Sequence, residues 1–105
     1  MAERITPEEG VLKLESGETL FVDVRDPTSH QEARIPGALL LNQTNLEDFL
    51  ATTDRQQPLV VYCYHGHSSQ GASDYLTEQG FSTVVSLDGG FEHWRQAHPE
   101  HVDAD

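Results

Sequence analysis

One cysteine, one methionine and one tryptophan occur among 105 residues, and six lysines and arginines stand against 18 aspartates and glutamates. A single thiol closes no internal disulfide, so an oxidising compartment gives this chain no staple, and a cytoplasmic location is expected. The shortage of bases leaves a formal net charge of −12. That argues against nucleic acid and anionic membrane as partners, because both require clustered Lys and Arg. A small anionic substrate stays open, since it answers to the local field of a pocket, and solubility alone accounts for the overall acidity. Long apolar runs are missing as well. The longest, Ala38–Leu41 and Leu59–Tyr62, fall far short of a membrane span, and the opening MAERITPEEG holds no apolar signal segment. There is no repeat, low-complexity stretch or linker. One domain over residues 1–105 is expected, frayed at His101–Asp105.

What is present is a series of short apolar runs between turn signals. Thr6, Pro7 and Glu9 form a capping-box pattern for a first helix with Val11, Leu12 and Leu14 on its apolar side, stopped by Ser16-Gly17. Leu20–Val24 reads as a buried strand ending at Asp26-Pro27. A short helical segment over Ser29–Ala33 follows, closed by Pro36-Gly37. Ala38–Leu41 is a second apolar run. Thr44 and Glu47 repeat the capping-box pattern ahead of a helix that carries Leu46, Phe49 and Leu50 on one face. Leu59–Tyr62 and Thr83–Leu87 are further strands. Between them Ala72, Tyr75 and Leu76 keep helical spacing up to Gly80, and Asp88-Gly89-Gly90 turns the chain into a last helix with Phe91, Trp94 and Ala97. Strands alternating with amphipathic helices predict an α/β fold, a parallel sheet covered by helices on both faces.

Ligands of such sheets bind beyond the carboxyl ends of the strands, and Cys63 stands in that place. It lies between the strand Leu59–Tyr62 and a helix expected to start near Ser68 or Ser69. A tight loop there aims backbone N–H groups inward, and the helix N-terminus adds partial positive charge. Both favour a thiolate over a thiol and are expected to lower the pKa below the ordinary thiol value. The plain alternative is a small buried hydrophobe at a strand end. The residues behind the cysteine favour chemistry: Gly66 permits positive φ, Ser68 and Ser69 offer hydroxyls and helix caps, and His65 and His67 can carry charge beside an anion. Phosphatase loops place an arginine sixth after the cysteine, where this chain has Ser69. Zinc ligation by Cys63, His65 and His67 would crowd three ligands into one short loop, a spacing unlike common zinc sites. Asp23 and Arg25, at the end of a central strand, read either as an ion pair bracing the loop or as substrate contacts. Asp88-Gly89-Gly90 reads as a helix-starting turn, Trp94 as core, and His30, His93, His98 and His101 as surface residues.

Together with the one-thiol loop, three motifs resemble the rhodanese domain: Val22-Asp23-Val24-Arg25-Asp26, Ile35-Pro36-Gly37-Ala38 and Asp88-Gly89-Gly90-Phe91-Glu92-His93-Trp94. The likeness runs from about Ile5 to His98 and is greatest to the family's small single-domain thiosulfate sulfurtransferases. It implies a five-stranded parallel sheet flanked by helices, and a ping-pong reaction in which Cys63 carries sulfur as a persulfide. Tyr64, His65, Gly66, His67 and Ser68 would bind substrate, with Asp23, Arg25 and Ser69 supporting the loop. The loop Cys63–Ser68 has the family's sulfur-transfer size, one residue shorter than that of its phosphatase relatives. No metal or organic cofactor is implied. The partners implied are a small sulfur donor and a thiophilic acceptor, cyanide in an assay or a dithiol protein such as thioredoxin. A carrier or regulatory module with little turnover is the alternative the family offers. Two departures stand out. His65 holds a place where efficient relatives often have a full cation, and Ala33-Arg34 replaces the family's frequent Gly-His, read here as a surface change.

Overall fold

A computed structural model describes residues 1–105. In chain order it contains β1 (Glu3–Ile5), α1 (Pro7–Ser16), β2 (Leu20–Asp23), α2 (Pro27–Glu32), β3 (Leu39–Leu40), α3 (Leu46–Thr52), β4 (Leu59–Tyr62), α4 (Ser68–Glu78), β5 (Val84–Leu87) and α5 (Gly90–Ala97). A single 3-10 turn, Pro99–His101, follows. The five strands form one sheet in the order β1-β5-β4-β2-β3, every pair parallel. The expected α/β architecture is therefore present, with β4 in the middle and every residue of β4 buried.

The two sheet faces carry separate cores. Phe21, Val60, Tyr62, Val85 and Leu87 alternate onto one face, where Phe91 and Trp94 of α5 and the Val11 and Leu14 side of α1 cover them. Val22, Leu59, Val61 and Val84 point the other way, against Phe49 of α3 and Leu76 of α4. Period-two alternation in a strand buried on both sides yields this division. Trp94 is fully buried, meets Phe21 edge-on at 6.0 Å between ring centroids, and donates its indole N–H to the His101 carbonyl at 2.9 Å. No helix is long and apolar enough to cross a membrane.

Several local expectations are met at the level of single bonds. Thr6 and Glu9 form both halves of the capping box, which holds the Glu9 carboxyl below its ordinary pKa through the Thr6 amide. Others need correction. Strand β1 was not anticipated from its three residues, of which only Ile5 is buried. It adds to the edge of the sheet through its pairing with β5 rather than through its own pattern. Helix α2 begins at Pro27, because Asp26 caps it through the Ser29 amide at 2.9 Å. No capping box forms at Thr44. The cap position is Asn45, whose amide bonds back to Asn42 N–H and the Leu40 carbonyl and so fixes the exit from β3.

The tail is tied down, not frayed. Arg34 and Asp103 form an antiparallel bridge, and the Arg34 guanidinium reaches Asp105 at 2.6 Å and the carbonyls of His30 and Gln31. Arg34 is thus a clasp between α2 and the C-terminus, not a surface change. His98 and His101 are half-buried against Trp94, and His98 also meets Glu8 at 3.1 Å, while His93 is exposed.

Gly10 of α1 sets the distance between that helix and Trp94. A Cβ there would lie 2.9 Å from Trp94 Cζ3, against a ring with no room to retreat. Alanine normally favours a helix over glycine by about 1 kcal/mol, and overpacking costs about 1–3 kcal/mol. Gly10→Ala is expected to lower stability, on the order of 1 kcal/mol, read as an earlier urea midpoint.

Candidate active site

β4 ends at Tyr62, and the chain turns at once through Cys63 and Gly66 into α4. Gly66 has φ +90°, and a Cβ there would stand 2.8 Å from the Gly89 amide nitrogen and 3.3 Å from the Leu87 carbonyl oxygen. The loop therefore rests backbone against backbone on the end of β5, a contact only glycine permits.

Cys63 sits within this turn with 4% of its residue surface exposed. The Gly66 and Ser69 amides donate to Sγ at 3.3 and 3.2 Å, and the Ser69 hydroxyl lies 3.3 Å away. Burial by itself pushes the thiol pKa up. The Ser69 hydroxyl and the amides of Ser69, Gly66 and His65 outweigh it, and the thiol is held below its ordinary value. The charge of a thiolate meets donors already in position and needs no rearrangement of solvent.

The start of the loop is held from outside by its carbonyls. Phe91 N–H donates to the Cys63 carbonyl at 2.8 Å and Glu92 N–H to the Tyr64 carbonyl at 3.0 Å. In a trans peptide C=O and N–H point in opposite directions, so anchoring the Tyr64 carbonyl on the first turn of α5 turns the His65 N–H, one of the amides that lower the thiol pKa, to the sulfur side. Gly90, φ +62°, lies directly under the Tyr64–His65 peptide, where a Cβ would stand 2.5 Å from the Tyr64 carbonyl. Asp88-Gly89-Gly90 starts a helix, as its turn chemistry predicts, and the same residues seat the cysteine loop.

Asp23 and Arg25 lie on the α5 side of the sheet. The fully buried Asp23 carboxylate accepts from Arg25 N–H at 2.8 Å, from its Nε and from its Nη2 at 2.8 Å, and also contacts His30 Nδ1 at 2.9 Å. Burial alone would lower the Arg25 pKa; the Asp23 carboxylate more than offsets it and raises the value. Arg25 also donates to the Ala33 carbonyl at 2.6 Å, and its guanidinium lies 4.3 Å from the Phe91 ring centroid and 5.9 Å from that of Tyr64. The pair is therefore built into the wall beneath the loop. His30, expected on the surface, is half-buried because Asp23 takes it as a third partner.

The remaining loop residues divide. The Tyr64 hydroxyl is bonded to the Asp26 carboxylate and lies 3.2 Å from the Ser29 hydroxyl, which ties the loop to the N-terminus of α2. Ser69 is completely buried, and its hydroxyl serves the sulfur instead of capping α4, whose cap position is His67 with no side-chain cap. The rings of His65 and His67 and the Ser68 hydroxyl are exposed and make no hydrogen bond to the protein. They are the side chains at the mouth. No three His, Cys, Asp or Glu side chains gather at metal-binding spacing. Sequence reasoning missed Ser86, fully buried on β5 with its hydroxyl 2.8 Å from that of Ser69. The signal was a serine inside the apolar run Val84-Val85-Ser86-Leu87.

A parallel sheet whose central strand delivers one cysteine into a ring of amides defines a class, and comparison with known proteins agrees. The rhodanese-like domain model matches residues 6–97, and the chain belongs to the rhodanese family. Its relatives include thiosulfate sulfurtransferase GlpE of Stutzerimonas stutzeri, 49% identical over 97% of this chain and 93% of that protein. Among solved structures, a rhodanese-like domain protein of Staphylococcus aureus is 27% identical with a TM-score of 0.81, over 98% of each chain. The NMR structure of an Anabaena rhodanese-like domain aligns at a TM-score of 0.86 and 21% identity, over 100% of this chain and 81% of that one.

Gly90→Ala tests the seating of the loop on α5. The added methyl would displace the Tyr64–His65 peptide and with it the inward amides. We expect Cys63-dependent turnover to fall by about 100-fold or more, as when transition-state amide donors are lost, while far-UV circular dichroism stays that of the folded chain.

Proposed function

We propose that this protein is a thiosulfate sulfurtransferase. The observation that carries it is the ring of amide and hydroxyl donors around a single buried sulfur, in a loop with no arginine. Such a ring suits one soft anion and lacks the planar fork that a transferred phosphoryl group requires. The GlpE relatives, named for this activity, support the same reading.

In the first half-reaction the Cys63 thiolate attacks the outer sulfur of thiosulfate. The new S–S bond forms as the bond to the sulfonate sulfur breaks, and its electron pair leaves with sulfite. Cys63 is left as a persulfide, its negative charge facing the Gly66, Ser69 and His65 amides. In the second half-reaction a thiophile attacks the terminal sulfur and restores the thiolate; with cyanide the product is thiocyanate. Cys63 alone is covalently involved. Backbone amides from His65 to Ser69 hold the anion, and Tyr64, Asp23 and Arg25 hold the loop. A dithiol protein of the thioredoxin kind, acting in the cytoplasm, is the acceptor that accords with a lone thiol needing reducing surroundings. The chemistry needs no metal or organic cofactor.

Cys63→Ser is expected to abolish thiosulfate:cyanide transfer, and only the wild-type chain should gain the mass of one sulfur atom on treatment with thiosulfate. A serine variant that turns over, or a wild-type mass that does not change, would remove Cys63 from the mechanism.

His65 is assigned to anion attraction at the mouth. Its ring is exposed and free of protein partners, in a loop that holds no lysine or arginine. A charge–anion contact at an exposed site is worth on the order of 1 kcal/mol. His65→Lys, which places a permanent cation there, should therefore lower KM for thiosulfate several-fold, with kcat little changed. A KM that does not respond would leave the anion to the amides alone.

A further inference from the structure

On the α4 side of the sheet lie two buried hydroxyls in line with the sulfur. Cys63 Sγ is 3.3 Å from Ser69 Oγ, and Ser69 Oγ is 2.8 Å from Ser86 Oγ. Both serines are completely buried, and the Ser86 hydroxyl has no other partner. We propose that Ser86 is a positioning residue for the nucleophile, holding the Ser69 hydroxyl so that it donates to Cys63 Sγ.

The inference follows from the donor and acceptor inventory. A thiolate carries no proton, so the contact between Sγ and Ser69 uses the Ser69 proton. The contact between Ser69 and Ser86 must then use the Ser86 proton. Only one arrangement satisfies both contacts: Ser86 O–H to Ser69 Oγ, and Ser69 O–H to sulfur. Ser86 has nowhere else to donate. A hydroxyl that accepts one hydrogen bond becomes a stronger donor of the next, by some 10–30% per bond. Ser86 thereby strengthens a charge-assisted bond that it does not itself make.

No charged group competes with this chain of hydroxyls. Arg4, the register partner of Ser86 on β1, pairs with Asp88 at 3.3 Å on the surface. On α4, Asp74 meets the chain's amino terminus and Glu78 is exposed; in the loop, His65 and His67 are exposed. None of these side chains bonds to either serine.

The inference rests on Cys63 as the nucleophile. It is tested by the pH dependence of Cys63 alkylation with iodoacetamide, a neutral reagent that reports thiolate without any sulfur donor. Ser86→Ala is expected to raise the midpoint by a few tenths of a pH unit, about two-fold in rate at pH values below the midpoint. Ser86→Thr, which keeps the hydroxyl, should retain the wild-type midpoint, whereas Ser86→Val, equal to it in shape, should not. In a Ser69→Ala background, removing the Ser86 hydroxyl should shift nothing further, because the intermediary is gone. An unchanged midpoint in Ser86→Ala would overturn the proposal. So would equal shifts with and without Ser69, or equal shifts in the threonine and valine variants. The threonine–valine pair gives the same reading should the alanine cavity disturb the fold. Failure of the wild-type chain to take sulfur from thiosulfate, measured separately, would count against the transferase reading and leave these midpoints interpretable.

Discussion

The site depends on the orientation of two peptide units. The carbonyls of Cys63 and Tyr64 are held by amides in the first turn of α5, which fixes the start of the loop, and the geometry of the trans peptide then turns the His65 N–H toward the sulfur. A helix N-terminus is thus used at second hand. It binds no anion itself; it captures carbonyls so that another stretch of backbone can bind one. The missing side chains of Gly66 and Gly90 follow from this, since the loop and the start of α5 approach at main-chain distance. The sequence motif Asp88-Gly89-Gly90 and the cysteine loop are two halves of one interlocked turn.

The sheet supplies the rest from its two faces. Toward α5, the Asp23–Arg25 pair fills the wall behind the loop, with the guanidinium on the Phe91 ring and beneath Tyr64. A buried carboxylate costs free energy unless its lone pairs are met, and here Arg25 and His30 meet them. Toward α4, the polar groups are uncharged serines. The charged support stands at a distance from the sulfur, and the neutral support touches it. Direct contacts of this kind stabilise a thiolate without a fixed cation that would hold the sulfite leaving group.

Much of the fold was legible because its signals are local. Thr6, Pro7 and Glu9 specify a helix start within four residues, and Leu59–Tyr62 is apolar at every position, as a strand buried on both faces must be. The place of the cysteine was legible too, because a lone thiol after the apolar run Leu59–Tyr62 stands where a buried strand ends and a helix is about to begin. What escaped the sequence depends on partners far along the chain. β1 exists through its pairing with β5, and Asn45 abandons a capping role for β3. Arg34 finds Asp103 and Asp105 across about seventy residues. His30 and Ser69 follow the same rule: each has a local role open to it, surface or cap, and each is claimed by a buried group with a stronger need for a donor.

Trp94 is the only indole in the chain, and it belongs to the helix whose first turn seats the cysteine loop. It is sealed from water by Phe21 on one side and by the tail on the other, its N–H held by His101. Intrinsic emission therefore comes from a single dry position that joins the C-terminal clasp to α5. A loosened tail wets the indole and shifts its emission to longer wavelength before the sheet itself opens, which gives the chain a built-in optical gauge of how firmly α5 is anchored.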